Sequence, residues 1–151
     1  MGNLRLSKHD GRVTGGNGVL DLSGTRDLLH AWGNWSNNNT FTDWYREAPY
    51  LASVTPKPTR NHISITDEQA AIIDKSIANL LQNHDSQAMS FLVLYYVYGL
   101  NKSEIARLAT KADRAKCSEG KVRNAIQLAE FFLAGVFFHQ GLLKQLSSKA
   151  A

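Results

Sequence analysis

One cysteine, Cys117, is all the thiol chemistry that this 151-residue chain holds. It can form neither an internal disulfide nor a C-x-x-C zinc half-site. The histidines, His9, His30, His62, His84 and His139, are scattered and make no H-x-x-x-H pair, so neither a structural metal nor a cofactor is expected. Also missing are a Ser/His/Asp set and a carboxylate pair in a recognisable catalytic frame, so the chain is not expected to be an enzyme. The longest apolar candidate, "FFLAGVFF" at 131–138, is too short to span a bilayer, which takes about 20 residues. No membrane association is expected. The opening "MGNLRLSKHDGRVTGG" lacks the apolar centre of a signal peptide. The expectation is a cytoplasmic protein, in which the sequons at Asn34 and Asn38 are accidental.

What remains is an ordinary soluble composition, 43% hydrophobic and 20% charged, at a length that buries a core without staples. Residues 1–24 hold six of the eleven glycines and few large apolar side chains, so this part reads as a flexible tail. Its "GGNG" is not framed by the strand and helix of a phosphate loop. Residues 25–146 are expected to form one helical domain, and 147–151 a frayed tail.

Helical signals run through that domain. Ser23 or Thr25 can cap a first helix that places Leu28, Leu29, Trp32 and Trp35 on one face. "NNNT" ends it. A short irregular segment holds Trp44 and Tyr45, which could face a protein partner, and "SVTPKPTRN" (53–61) reads as an extended connector. Thr66 and Gln69 make a capping box for a second helix with Ala70, Ile73, Ile77 and Leu80 inward. Asp85 or Ser86 can cap a third, "QAMSFLVLYYVYG". Its composition is rich in strand formers, but its length and the closing Gly99 favour a helix. The predicted core is Trp32, Trp35, Ile73, Ile77, Leu94, Ile105, Val122 and Ile126. Phe131, Phe132, Phe137 and Phe138 surround the last helix, which implies burial on more than one side, in a core or in a protein interface. The chain reads as all-α.

Charge is what is distributed unevenly. The chain carries a net charge of +4, and "NKSEIARLATKADRAKCSEGKVRNAI" (101–126) alone sums to +4, with seven basic residues against three acids. Asn101 and Glu104 form a further capping box. Ile105, Ala106, Leu108 and Ala109 supply a short buried face. "TKADRAK" breaks the pattern and either lengthens the first helix or forms a basic loop. Ser118 caps a second helix with Val122, Ile126, Ala129 and Leu133 inward and Lys121, Arg123, Asn124 and Gln127 outward. Cys117 reads as a small packing residue. The arrangement at about 101–130 suggests a helix-turn-helix. Lys102, Lys111, Lys116 and Lys121 would neutralise phosphates, and Arg123, Asn124 and Gln127 would read base edges. Ser118 and Glu119, at the head of the second helix, complete the candidate DNA-binding set. "EGK" at 119–121 is not a P-loop, because Ala115 and Val122 stand where glycine and Ser or Thr are needed.

"LVLYYVYGLNKSEIARLA" followed by "CSEGKVRNAIQLAEFFLAGVF", with the earlier "LHAWGNWSNNN" and "ISITDEQAAIID", resembles the phage Q antitermination proteins of the zinc-free lambdoid class over roughly residues 26–138. The helix-turn-helix half also resembles region four of sigma factors. The turn at "TKADRAK" is longer than such motifs use. The resemblance implies a protein that binds double-stranded DNA at a phage late promoter, loads onto paused RNA polymerase holoenzyme with its sigma factor, and makes it read through terminators. It implies a bacterial host cytoplasm. Two other readings stay open: a promoter-binding regulator without antitermination activity, and a helical protein-interaction module. A second copy of the chain is a further candidate partner.

Overall fold

The computed structural model describes residues 21–39, 42–57, 64–83 and 85–143. Most of the expected N-terminal tail and all of residues 147–151 lie outside these, as do residues 58–61 of the connector. Among the described residues there are five α-helices and no strand: α1 (Ser23–Asn37), α2 (Asp67–Asn83), α3 (Ser86–Tyr96), α4 (Lys102–Asp113) and α5 (Glu119–His139).

The caps carry the local logic. The Thr66 hydroxyl accepts from the Gln69 N–H at 3.1 Å while the Gln69 carbonyl oxygen accepts from the Thr66 N–H at 3.0 Å, closing the expected capping box. Asp85 rather than Ser86 caps α3, accepting from the Ala88 N–H at 3.0 Å. Asn101 and Glu104 exchange the same reciprocal pair at the head of α4. At α1 the expectation fails. Its N-cap is Leu22, with no side-chain cap bond, and Thr25 is fully buried. Burial of Leu22, 1% exposed, draws the chain into the core ahead of Ser23, and Asp21 Oδ1 accepts the Ser23 N–H at 2.9 Å instead.

α3 is the central helix, with eight of its eleven residues buried. Its strand-like composition follows from that position. A helix covered on all sides has no polar face, and bulky β-branched and aromatic side chains fill the space. Gly99, at φ 77°, turns the chain out of α3 two residues beyond the C-cap Val97. Leu100 N–H then bonds back to the Leu94 carbonyl at 3.0 Å, setting the direction of α4.

The Trp-Gly-x-Trp segment of α1 is structural. Trp32 is fully buried, and its indole N–H donates to Asp74 Oδ1 at 3.1 Å. Trp44 Nε1 and Thr42 Oγ1 donate to the same oxygen at 3.0 and 2.8 Å. Trp35, placed in the core by its spacing, is instead half-buried, its indole reaching Asp67 Oδ1 at 2.9 Å. Gly33 lies so close to α3 that a Cβ there would stand 2.0 Å from the Tyr96 carbonyl oxygen. Trp44 and Tyr45 also point inward: Tyr45 is 5% exposed and its hydroxyl shares a 2.5 Å hydrogen bond with Ser36 Oγ.

One buried charge joins three helices. Glu130 of α5, 3% exposed, receives Arg26 of α1 (Nε at 3.1 Å, Nη2 at 3.0 Å) and the Tyr96 hydroxyl of α3 at 2.5 Å. Burial first, and then the Glu130 carboxylate, push the Tyr96 phenol far above its ordinary pKa, so it stays a donor.

Of the four phenylalanines on α5, only Phe137 is fully buried. Phe131 is half-buried, Phe132 is 40% exposed and Phe138 is 75% exposed. Within the domain, the expected burial on several sides is therefore corrected to burial on one face. Phe137 aligns with Val122, Ile126 and Leu133 on the face toward α3, and the others turn away from it. Among the described residues no helix is long and apolar enough to cross a membrane.

Candidate nucleic-acid interface

α4 and α5 pack against each other as a helix, a turn over residues 114–118, and a longer helix. "TKADRAK" resolves into both of its expected forms. Lys111, Ala112 and Asp113 extend α4, and Arg114 then breaks it in the left-handed region at φ 55°. Thr110 closes the turn. Its hydroxyl accepts from the Cys117 N–H at 2.9 Å and donates to the Cys117 carbonyl at 3.2 Å. Cys117 is buried, 6% exposed, as a packing residue beneath that closure. Ser118 Oγ accepts from the Lys121 N–H at 3.1 Å and starts α5.

The inner faces of the pair are apolar: Ile105, Ala106 and Ala109 on α4, and Val122, Ile126, Ala129 and Leu133 on α5. The outer faces are basic. Ser103, Arg107, Thr110 and Lys111 of α4 line an open groove with Lys116, Ser118 and Glu119 from the turn and the head of α5. Lys121, Arg123 and Asn124 follow along α5, all exposed, with Gln127 half-buried. The three acids of the stretch are all engaged. Glu104 is paired with Lys57 Nζ at 3.0 Å, Asp113 receives the Tyr50 hydroxyl at 2.7 Å, and Glu119 holds Arg123 Nη2 at 3.0 Å. The Asn101 N–H, and then Lys57, hold the Glu104 carboxyl below the usual carboxylate range.

Lys102 stands apart from the other candidates. It is half-buried, and its ammonium lies 5.2 Å above the ring of Tyr95. Arg107 was absent from the sequence-derived set yet lines the groove, with Nη1 3.3 Å from Ser103 Oγ. Helical spacing could have shown it, since Arg107 falls opposite Ile105 and Ala109. Two supports have no sequence signal at all. Tyr50, at φ 74°, donates to Asp113 at the end of α4, accepts from Gln87 Nε2 at 3.0 Å and stacks on Phe91. Lys57 binds Glu104 at the start of α4, and its N–H bonds the Tyr98 carbonyl at 2.6 Å. The segment between α1 and α2 thus braces both ends of α4. A surface of this kind can neutralise a phosphate backbone and present paired donors and acceptors to base edges. Among the described residues no group of His, Cys, Asp and Glu could hold a metal ion.

No solved structure matches the chain, so the kinship to region four of sigma factors remains a resemblance of sequence. Among curated proteins, one named probable antitermination protein Q, from Acyrthosiphon pisum secondary endosymbiont phage 1, is 32% identical over 111 residues, covering 73% of this chain and 71% of its own length. The family described as phage antitermination protein Q matches residues 23–144, from the first residue of α1 to just beyond α5. This chain therefore belongs to the phage antitermination protein Q family.

Proposed function

We propose that the chain is a DNA-binding transcription antiterminator in which α4 and α5 act as a helix-turn-helix. The observation that carries this reading is the two-faced α5. Val122 and Ile126 are buried while Lys121, Arg123 and Asn124 are exposed beside a groove that gathers Arg107, Lys111 and Lys116, in a member of an antitermination family. In this reading the lysines and Arg107 contact phosphates and set the register, and Arg123, Asn124 and Gln127 read bases in the major groove. Glu119 orients Arg123 through their ion pair. Lys102, drawn over Tyr95, supports the domain more than the DNA contact. The protein binds an element at a late promoter, loads onto RNA polymerase paused there with its sigma factor, and makes it pass terminators. The chemistry is recognition and not catalysis.

The test is transcription in vitro across a terminator, from a late-promoter template of the source phage or prophage. Read-through should require both the protein and its DNA element, and Arg123→Glu should abolish it while initiation stays nearly intact. A protein that changes only how often transcription starts would be a promoter-binding regulator instead.

A further inference from the structure

Two features of the protein are locally unfavourable, and they meet in one hydrogen bond. Tyr50 holds φ 74°, in the left-handed region that bulky side chains rarely enter. Asp113 is the last residue of α4, where the negative end of the helix dipole disfavours a carboxylate. It also stands beside Arg114 in the basic stretch, where a negative charge opposes a phosphate backbone. The Tyr50 hydroxyl donates to Asp113 Oδ2 at 2.7 Å and accepts from Gln87 Nε2 at 3.0 Å. Its ring stacks on fully buried Phe91, with centroids 5.6 Å apart and 24° between the planes. Burial first, and then the Asp113 carboxylate against the Gln87 bond, raise the Tyr50 phenol above its ordinary value, so the hydroxyl keeps its proton. Gln87 and Phe91 both belong to α3. Tyr50 is thus a strut from the most buried helix to the end of α4. Asp113 immediately precedes Arg114, which breaks α4 at φ 55° and opens the turn into α5. Backbone strain persists where the surroundings enforce it, and it clusters at functional sites.

We infer that Tyr50 is a positioning residue for sequence recognition: through Asp113 it holds the turn before α5, and so the angle at which Arg123, Asn124 and Gln127 meet base edges. This role rests on the proposed DNA binding; the strut itself does not. The two kinds of DNA contact differ in tolerance. A phosphate contact from a long lysine survives a small shift of the helix, because the side chain can follow a charge that repeats along the backbone. A paired hydrogen bond to a base edge does not, because it weakens steeply once distance and angle leave a narrow range. By the 1.5 Å rise per residue, Gln127 lies ~14 Å beyond Ser118 along α5, so a tilt of about 5° at the turn moves it by roughly 1 Å. Loss of the strut therefore costs discrimination between sequences and spares general affinity.

The full chain is tested on two duplexes, a late-promoter fragment of the source phage or prophage and a scrambled duplex of the same length and composition. Tyr50→Phe keeps the ring on Phe91 and should melt within about 5 °C of the parent. Its affinity for the scrambled duplex should be unchanged, while its preference for the late-promoter fragment should fall at least about fivefold. Asp113→Asn keeps an acceptor oxygen and should keep the preference. Asp113→Ala, with the same change of charge, should lose it. Cys117, buried under the turn at 6% exposure, reports the strut without DNA. Its reaction with a thiol reagent should be about two- to tenfold faster in Tyr50→Phe and Asp113→Ala, the fold-change of one lost hydrogen bond. Full preference in Tyr50→Phe, equal losses on both duplexes, or identical behaviour of Asp113→Asn and Asp113→Ala would overturn the positioning role. A parent that binds both duplexes alike, with Cys117 still faster in the variants, would sink the proposed function and leave only the strut. A parent that prefers the late-promoter fragment, with variants that match it in preference and thiol rate, would sink the positioning role alone.

Discussion

Alanine placed at two helix glycines should move stability in opposite directions. At Gly33 the added Cβ would stand 2.0 Å from the Tyr96 carbonyl oxygen and 2.8 Å from its carbon. Ordinary contact needs about 3.4 Å, so α1 and α3 must part by more than 1 Å. Both atoms are backbone, in a helix buried on all sides, and neither can rotate away. Overpacking of this kind costs about 1–3 kcal/mol and occasionally more. The separation would also strain Asn37, whose amide bridges the Gly33 carbonyl at 3.1 Å and the Val97 carbonyl at 2.8 Å. Against this, alanine gains about 1 kcal/mol of helix propensity. The clash wins, and Gly33→Ala should lose up to about 2 kcal/mol net. At Gly135, where nothing lies within 4 Å of an added Cβ, only the propensity term remains, so Gly135→Ala should gain about 0.5–1 kcal/mol. Urea denaturation followed by far-UV circular dichroism measures both midpoints and slopes. A Gly33→Ala protein as stable as the parent, or two shifts of the same sign, would refute the claim that α1 and α3 touch through their backbones.

Other perturbations reach the buried charge, the basic face and the half-buried His30. Arg26→Ala leaves the Glu130 carboxylate buried with only the Tyr96 hydroxyl, and should destabilise by about 2–4 kcal/mol, somewhat less than loss of a fully buried partner because Arg26 is 39% exposed; chemical denaturation checks it. Lys121→Ala should weaken binding to all DNA sequences and reduce the slope of log affinity against log salt by about one unit, whereas Asn124→Ala should cost about 1–3 kcal/mol on the preferred element and much less on random DNA. Equal losses on both DNAs would make Asn124 a backbone contact. Burial holds the His30 imidazole below its ordinary value of 6.5, with Asp27 and Glu130 opposing. The unfolded chain therefore takes up the proton first, so stability should be full above about pH 6.5 and fall as pH drops from there through the folded-state value. A His30→Gln variant should flatten that part of a thermal-unfolding pH profile.

Local sequence determined where most helices start and which side of each is apolar. Capping boxes at Thr66–Gln69 and Asn101–Glu104 need only residues three apart, and periodic residues such as Ile73, Ile77, Val122 and Ile126 need only one face to bury. Such signals act within one turn of chain, so they are legible before any fold exists. The clustering of positive charge at 101–126 was legible for the same reason, and with it the candidate DNA-binding face. Tertiary structure decided whatever depends on a distant neighbour. Trp35 and Trp32 share a helical face, but Asp67 draws one indole toward the surface and Asp74 holds the other inside. Phe137 and Phe138 are adjacent in sequence, and only the position of the rest of the core buries one and exposes the other. Lys102 was one cation among seven until Tyr95 lay beneath it, and Arg107 entered the groove only once the turn closed on Thr110. Tyr50 and Lys57, which fix α4 from 63 and 47 residues away, carry no periodicity or cap, because their partners at Asp113 and Glu104 come near only when the whole domain has folded.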